Sequence, residues 1–112
     1  MIQVDAIRAA YPEFAITSAR SFGDEGQFNN LLIVNEAYIF RFPKYVHGIQ
    51  TLRQETNLLK RIQGCTTLPI PDPIFAHFDP PILGQVFMGY RRLPGEPLFR
   101  EMLRQIEDEA TL

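Results

Sequence analysis

A chain of 112 residues is long enough for one domain with a modest core and too short for a two-lobed enzyme. Its content of 46% hydrophobic and 21% charged residues is typical of a globular protein and excludes a disordered chain. The formal net charge of −2, with both signs interspersed, excludes the basic surface that a nucleic-acid partner needs.

The first half of the chain predicts a helix followed by three strands. Clustered apolar residues predict a short helix over residues 4–10, and ITSARSF, residues 16–22, predicts a first strand. The turn-rich loop FGDEGQFNN then leads to NLLIVN, residues 30–35, whose apolar run indicates a strand buried on both faces. Asn35 and Glu36 predict a two-residue hairpin turn, because asparagine tolerates the left-handed conformation that such turns need.

The middle of the chain predicts a strand, a helix and a rigid connection. AYIFRF, residues 37–42, is the third predicted strand. After a loop, the main helix is expected to begin near Gln50 or Thr51 and to end at Gly64, a typical helix-stop residue. In TTLPIPDPIF, residues 66–75, three prolines at alternate positions exclude a helix and predict an extended surface connection.

The remaining segments complete an α+β fold class. IFAHF, residues 74–78, and QVFMGYRRL, residues 85–93, predict two strands that pair as a hairpin, and residues 98–110 predict a final helix. The sequence therefore predicts a five-stranded antiparallel sheet with one main helix packed across it and a short helix at each end.

One pair of charged residues falls among apolar positions. Arg41 lies on the strand face opposite the aromatic residues, and Glu55 lies on the helical stripe of Leu52, Leu59 and Ile62. A carboxylate on an inward stripe is costly unless it is paired, so Arg41 is its predicted partner. The alternative is that Glu55 lies at the edge of the stripe and Arg41 on a solvated sheet face.

Four successive segments then resemble a known family: GDEGQFNNLLIVNEAYIFRFPK, RQETNLLKRI, LPIPDPIF and VFMGYRRLPGEPL. They are similar to the N-terminal lobe of the aminoglycoside phosphotransferases, whose fold is like that of protein kinases, and the match spans roughly residues 18–100. The resemblance implies that residues 1–112 are a single nucleotide-binding small lobe. It also implies a hinge at about 88–97, the start of a linker helix at 98–110, and ATP or GTP as cofactor.

The same resemblance assigns the candidate binding residues. It implies that Arg41 lies near the nucleotide phosphates with Glu55 as its helix partner, as a strand cation and a helix glutamate do in kinases. The loop from Gly23 to Asn30 would cover the phosphates, although its glycine spacing departs from GxGxxG. Backbone groups after Met88 would receive the adenine edge. The implied cofactor-binding residues are Gly23, Gly26, Asn29, Arg41, Glu55, Arg91 and Leu93.

Phosphoryl transfer needs more than this chain contains. Kinases catalyse this transfer with an HxDxxxxN loop, which orients the acceptor hydroxyl, and a later aspartate that binds magnesium. The only similar pattern runs from His77 to Asp79, where Gly84 occupies the asparagine position and the pattern falls in a predicted turn. We therefore assign no catalytic residue and no metal ligand. Magnesium would be held by a large catalytic lobe that this chain lacks and that would join it in cis or in trans.

Three functional hypotheses follow. The first is the nucleotide-binding lobe of an ATP- or GTP-dependent small-molecule phosphotransferase that is not catalytic alone. The second is a stand-alone interaction or regulatory module that keeps the kinase-lobe scaffold without nucleotide affinity. The third is a different small α+β domain with accidental similarity. In the first case an apolar face left by the missing lobe would favour self-association into a homo-oligomer.

The sequence also indicates a compartment. The start, MIQVDAIRAA, lacks the pattern of a signal peptide, and no apolar run approaches the roughly 20 residues of a membrane span. Cys65 is the only cysteine, so no internal disulfide can form, and we expect its thiol to be buried. These features predict a cytoplasmic protein with neither a membrane nor a nucleic-acid partner.

Overall fold

The computed structural model describes residues 2–21, 29–65 and 70–92. Its five strands form one antiparallel sheet in the order β1-β2-β3-β5-β4, which confirms the predicted α+β fold class. The predicted final helix, residues 98–110, lies outside the described residues. The elements are α1 (Ile2–Ala10), β1 (Ala19–Ser21), β2 (Asn29–Val34), β3 (Tyr38–Pro43), α2 (Val46–Ile62), β4 (Phe75–His77) and β5 (Phe87–Arg91).

The sheet separates two apolar layers, because successive side chains of each strand point to opposite faces. On one face, Phe40 and Phe42 of β3 pack with α1 and Phe87. On the other face, Ile39 packs under α2. This alternation is the one that the sequence predicts for β3. The buried residues of the α2 layer are Ile39, Leu52, Leu59, Met88 and Tyr90.

Helix α2 begins earlier than predicted. It starts at Val46, so that Gly48 and Ile49, expected to lie in a loop, are buried within its first turns. Glycine lowers helix propensity by about 1 kcal/mol, and the burial of Ile49, which is 7% exposed, outweighs that cost. The predicted stop is confirmed, since the helix ends at Ile62 and Gly64 adopts a left-handed φ of +81°.

The first hairpin differs from the prediction in two respects. Strand β1, Ala19–Ser21, begins three residues later than the predicted start at residue 16, and the predicted end at residue 22 lies outside the described residues. In addition, Val34 pairs with Tyr38, so the turn has three residues, 35–37, instead of two. The late start of β1 has a local cause: the side chain of Asn35 bonds the backbone of the residues before β1, which therefore do not join the ladder.

The connection after α2 is also buried more than expected. Pro71 and Pro73 are buried while Asp72 between them is exposed, so these two prolines face inward. The Gln63 side chain donates to the carbonyl of Pro71 at 2.7 Å, which ties this segment to the end of α2. Cys65 was expected to be buried, and this prediction is wrong, because its thiol is exposed.

Neither helix in the described ranges has the length and apolar character to cross a membrane.

Candidate functional site

Arg41 and Glu55 form an ion pair inside the protein. Nη1 of Arg41 donates to Oε2 of Glu55, and the two residues are only 5% and 3% exposed. The predicted pair is therefore confirmed, and the alternative of two solvated side chains is wrong.

Both partners are carried by rigid elements. Arg41 lies in β3, which pairs with β2 on one side and with β5 on the other, and Leu31 and Met88 lie opposite Arg41 in the two ladders. Glu55 lies in the middle of α2, between Leu52 and Leu59, whose side chains pack on the same sheet face. The packing of strand and helix thus sets where the two charges meet. Such pre-orientation is what a binding site needs if it is to hold a ligand without rearrangement.

The chemistry of this pair suits an anion with several oxygens. A guanidinium carries five N–H donors in a planar fork, which matches the geometry of phosphate and carboxylate groups. Here a buried carboxylate engages one side of that fork and thereby sets its direction. Removing either partner would leave an uncompensated buried charge, so the pair acts as a unit.

The other predicted binding residues lie on either face of the sheet or outside the described residues. Asn29 is the first residue of β2 and, by strand alternation, lies on the sheet face of Arg41. Arg91 ends β5 on the opposite face, with its guanidinium 5.8 Å from the ring centre of Tyr38. The predicted role of Arg91 uses its backbone, so it stays a prediction. Three predicted residues lie outside the described part of the chain: Gly23, Gly26 and Leu93.

Two buried residues on the same sheet face as the ion pair were not identified as site residues from the sequence. Met88 lies opposite Arg41 in the β3–β5 ladder, and Tyr90 lies opposite Ile39. Both are buried on the α2 side of the sheet, at 0% and 3% exposure. Their spacing of two residues within QVFMGYRRL carried the signal, since it places them on one strand face.

The HxD pattern has a structural role in this part of the molecule. The carboxylate of Asp79 accepts a hydrogen bond from Arg53 of α2 at 3.0 Å, and the guanidinium of Arg53 lies 5.5 Å from the ring centre of Phe78. These contacts fasten the segment after β4 to the main helix. Within residues 2–21, 29–65 and 70–92, no group of three or more metal-ligating side chains could hold a metal ion.

Comparisons with known proteins identify the family. No protein-family model matches the chain, and a search of curated proteins found no match either. Among solved structures, the complex of APH(2″)-IIIa, an aminoglycoside 2′-phosphotransferase, with GDP and kanamycin matches 82% of this chain at 34% identity and a TM-score of 0.71. The chain is a kinase-like aminoglycoside phosphotransferase domain.

More distant structures share the fold of this phosphotransferase domain. The streptomycin–ATP complex of APH(2″)-IIa matches 83% of the chain at 16% identity and a TM-score of 0.64. The macrolide 2′-phosphotransferase MphH of Brachybacterium faecium matches 83% at 15% identity and a TM-score of 0.59. The domain covers 30%, 28% and 31% of the three relatives' own lengths. The hypothesis of an unrelated α+β domain is therefore wrong.

Proposed function

We propose that this phosphotransferase domain binds ATP or GTP, with Arg41 contacting the nucleotide phosphates and Glu55 holding the guanidinium in place. The observation that carries the proposal is the buried ion pair between β3 and α2. A cation aimed by a buried carboxylate is suited to binding phosphate oxygens. The nucleotide complexes of the relatives, with GDP in one case and ATP in another, support the same ligand class.

The remaining contacts are proposed from the family resemblance. The loop that contains Gly23 and Gly26 would cover the phosphates, and Asn29 would lie at the end of that loop. The backbone of Arg91 and Leu93 would receive the base. In this arrangement the base would lie near the end of β5, and the phosphates would extend toward Arg41.

Phosphate transfer to a small-molecule acceptor would need residues that this sequence lacks. We propose that a large catalytic lobe, in cis or in trans, supplies the residue that orients the acceptor hydroxyl and the ligands of magnesium. The domain alone would then bind nucleotide without catalysing transfer. We also propose that such a protein lies in the cytoplasm, where nucleoside triphosphates are available. Self-association through the apolar face left by the missing lobe stays a prediction.

A nucleotide titration followed by NMR tests the proposal residue by residue. The isotope-labelled chain would receive magnesium–ATP or magnesium–GTP up to millimolar concentration. We expect shifts of backbone signals on the Arg41 face of the sheet, at Leu31, Arg41 and Met88, and weaker effects on the α1 face. Comparing the two titrations shows which base the domain prefers.

The matched control removes the charges while keeping the packing. In the double variant Arg41→Met/Glu55→Leu, two apolar side chains of similar volume replace the ion pair. We expect this variant to fold and to lose the nucleotide-dependent shifts. A chain that shows no shift with either nucleotide, or a double variant that responds as the unsubstituted chain does, would overturn the proposal and favour the interaction module.

A further inference from the structure

The turn between β2 and β3 holds two distant segments of the domain at once. This turn comprises Asn35, Glu36 and Ala37. Its side chains and backbone contact the approach to β1 on one side and the residue after β5 on the other. Neither contact is required to form the β2–β3 hairpin itself, which closes through the bond from Ala37 N to Val34 O.

Asn35 binds the approach to β1. Its Oδ1 accepts from the backbone N of Thr17 at 2.7 Å, from the Thr17 hydroxyl at 3.0 Å and from the backbone N of Ser18 at 3.2 Å. Its Nδ2 donates to the carbonyl of Ala15 at 2.8 Å, and its own backbone N donates to the carbonyl of Ser18. One side chain thereby positions residues 15–18, which lead directly into β1.

Glu36 continues this contact onto β1 itself. Its two carboxylate oxygens accept from Nε and Nη2 of Arg20 at 2.7 and 3.0 Å, a bidentate pair. Glu36 also adopts a left-handed φ of 52°, a conformation that glycine takes freely and other residues take at a cost of about 1 kcal/mol or more. The turn therefore carries a strained residue whose side chain makes a bidentate contact that glycine could not make.

The same turn reaches the end of β5. The backbone N of Arg92 donates to the carbonyl of Ala37 at 2.8 Å. The Arg92 charge also acts favourably on the Glu36 carboxylate, together with that of Arg20. The turn is thus joined to β1 through the Glu36 side chain and to the residue after β5 through the backbone of Ala37.

Both segments lead into residues that the proposed function assigns to the nucleotide. Residues 22–28 follow β1 and would cover the phosphates, while the residues after β5 would receive the base. We propose that Glu36 is a positioning residue for nucleotide binding, because it sets the distance between the root of the phosphate-covering loop and the start of the hinge. This inference rests on the proposed function and adds a residue that touches no nucleotide itself.

The sign of a substitution effect separates positioning from simple charge. Glu36→Gln removes a negative charge, which by itself would favour an anionic nucleotide. Loss of positioning acts in the opposite direction. Asp79→Asn is the matched control, since it also removes one negative charge and breaks an exposed ion pair, with Arg53, on another part of the domain.

The experiment measures magnesium–ATP and magnesium–GTP dissociation constants together with amide hydrogen exchange. For Glu36→Gln we expect affinity to fall about two- to fivefold, the range that measured exposed ion pairs support, with faster exchange in β1 and at Arg92. Arg20→Gln should loosen β1 while leaving the Arg92 amide protected. Asp79→Asn should leave both quantities unchanged or bind slightly tighter. Tyr11→Phe weakens the opposite edge of the sheet and serves as a control for lost stability. Nucleotide affinity that falls in Glu36→Gln but not in Tyr11→Phe is then due to lost positioning.

Each outcome has a distinct meaning. Faster exchange with an unchanged dissociation constant in Glu36→Gln would make the contact purely structural and overturn the positioning role. Unchanged exchange would show that Glu36 holds neither segment and would overturn it as well. If the unsubstituted chain binds neither nucleotide, the proposed function is wrong. The exchange data then still show separately whether Glu36 holds β1 and Arg92 in place.

Discussion

Gly89 of β5 leaves the space that the ring of Phe40 of β3 occupies. A Cβ at residue 89 would lie 2.6 Å from Cε2 and 2.7 Å from Cδ2 of that ring, closer than real Cβ atoms approach other atoms. Gly89 lies opposite Phe40 in one ladder and opposite Phe75 in the next. The ring of Phe40 can therefore cross β5 and meet that of Phe75, with ring centres 5.1 Å apart.

Gly89→Ala should consequently strain the α1 layer. Phe40 is fully buried and cannot swing away, so we expect a loss of about 1–3 kcal/mol of unfolding free energy, as for other overpacked cores. Chemical denaturation measures it. The control is Gly64→Ala, where a Cβ meets no atom within 4 Å and only backbone strain is added. In a Phe40→Leu background the cost at residue 89 should shrink, while equal costs in both backgrounds would contradict the clash.

The Arg41–Glu55 pair should behave as a unit in stability measurements. Either Arg41→Met or Glu55→Leu alone leaves a buried charge without its partner, and we expect each to cost about 3–5 kcal/mol. The double variant removes both charges and should be as stable as the unsubstituted chain, or more stable by about 1–4 kcal/mol. Additive losses in the double variant, measured by denaturation, would show that the two side chains do not depend on each other.

Asn35 should be hard to replace, because it combines a left-handed φ of 56° with a hydrogen-bonding side chain. Asn35→Ala loses both advantages, and we expect about 1–3 kcal/mol of destabilisation. Asn35→Gly relieves the backbone strain but loses the side-chain bonds, so its cost should be smaller. Asn35→Asp keeps an acceptor for Thr17 and Ser18 and loses the donor to Ala15. Thermal denaturation should therefore rank alanine as the most damaging, and an alanine variant equal to glycine would contradict the role of backbone strain.

Glu36 should make stability depend on pH in the acidic range. The hydrogen bonds from Arg20 hold the pKa of Glu36 below its ordinary value of 4.5, with further lowering by the charges of Arg20 and Arg92. The folded state then binds fewer protons than the unfolded chain, so stability is fully present above pH 4.5 and is lost as the pH falls through the folded-state pKa. The difference in melting temperature between the unsubstituted chain and Glu36→Gln should close below pH 4.5. A difference that persists in acid would show that charge is not its source.

Tyr11 should protect the outer edge of the sheet. Its hydroxyl donates to the carbonyl of Ala76 at 2.9 Å and accepts from the N–H of Ala76 at 3.0 Å, where a further strand would otherwise bond to β4. We expect Tyr11→Phe to cost about 1–3 kcal/mol, because two backbone groups lose their partner. The open edge should also promote association at high concentration, which light scattering detects. Tyr45→Phe, at an exposed tyrosine, is the control and should change neither quantity.

Much of the fold could be predicted because the spacing of apolar residues along the chain indicates which segments form strands and helices. The alternation of YIFRF assigned Phe40 and Arg41 to opposite faces, and the helical stripe assigned Glu55 to the inside. The ion pair then followed from the cost of a buried charge. The start of α2 could not be predicted in this way, because Gly48 and His47 are poor helix formers and helix there is favoured by the burial of Ile49, which only the folded domain provides.

Within β3 and the later turns of α2, the sequence by itself determined which side chains face inward, since periodicity depends only on neighbouring residues. Tertiary structure alone decided which of them meet. The bond between Tyr11 and Ala76 joins residues 65 positions apart, and that between Asn35 and Ala15 joins residues 20 apart. Such contacts exist only after the strands have paired, because the hydrogen bonds of the ladder set the distances between segments that no local pattern specifies.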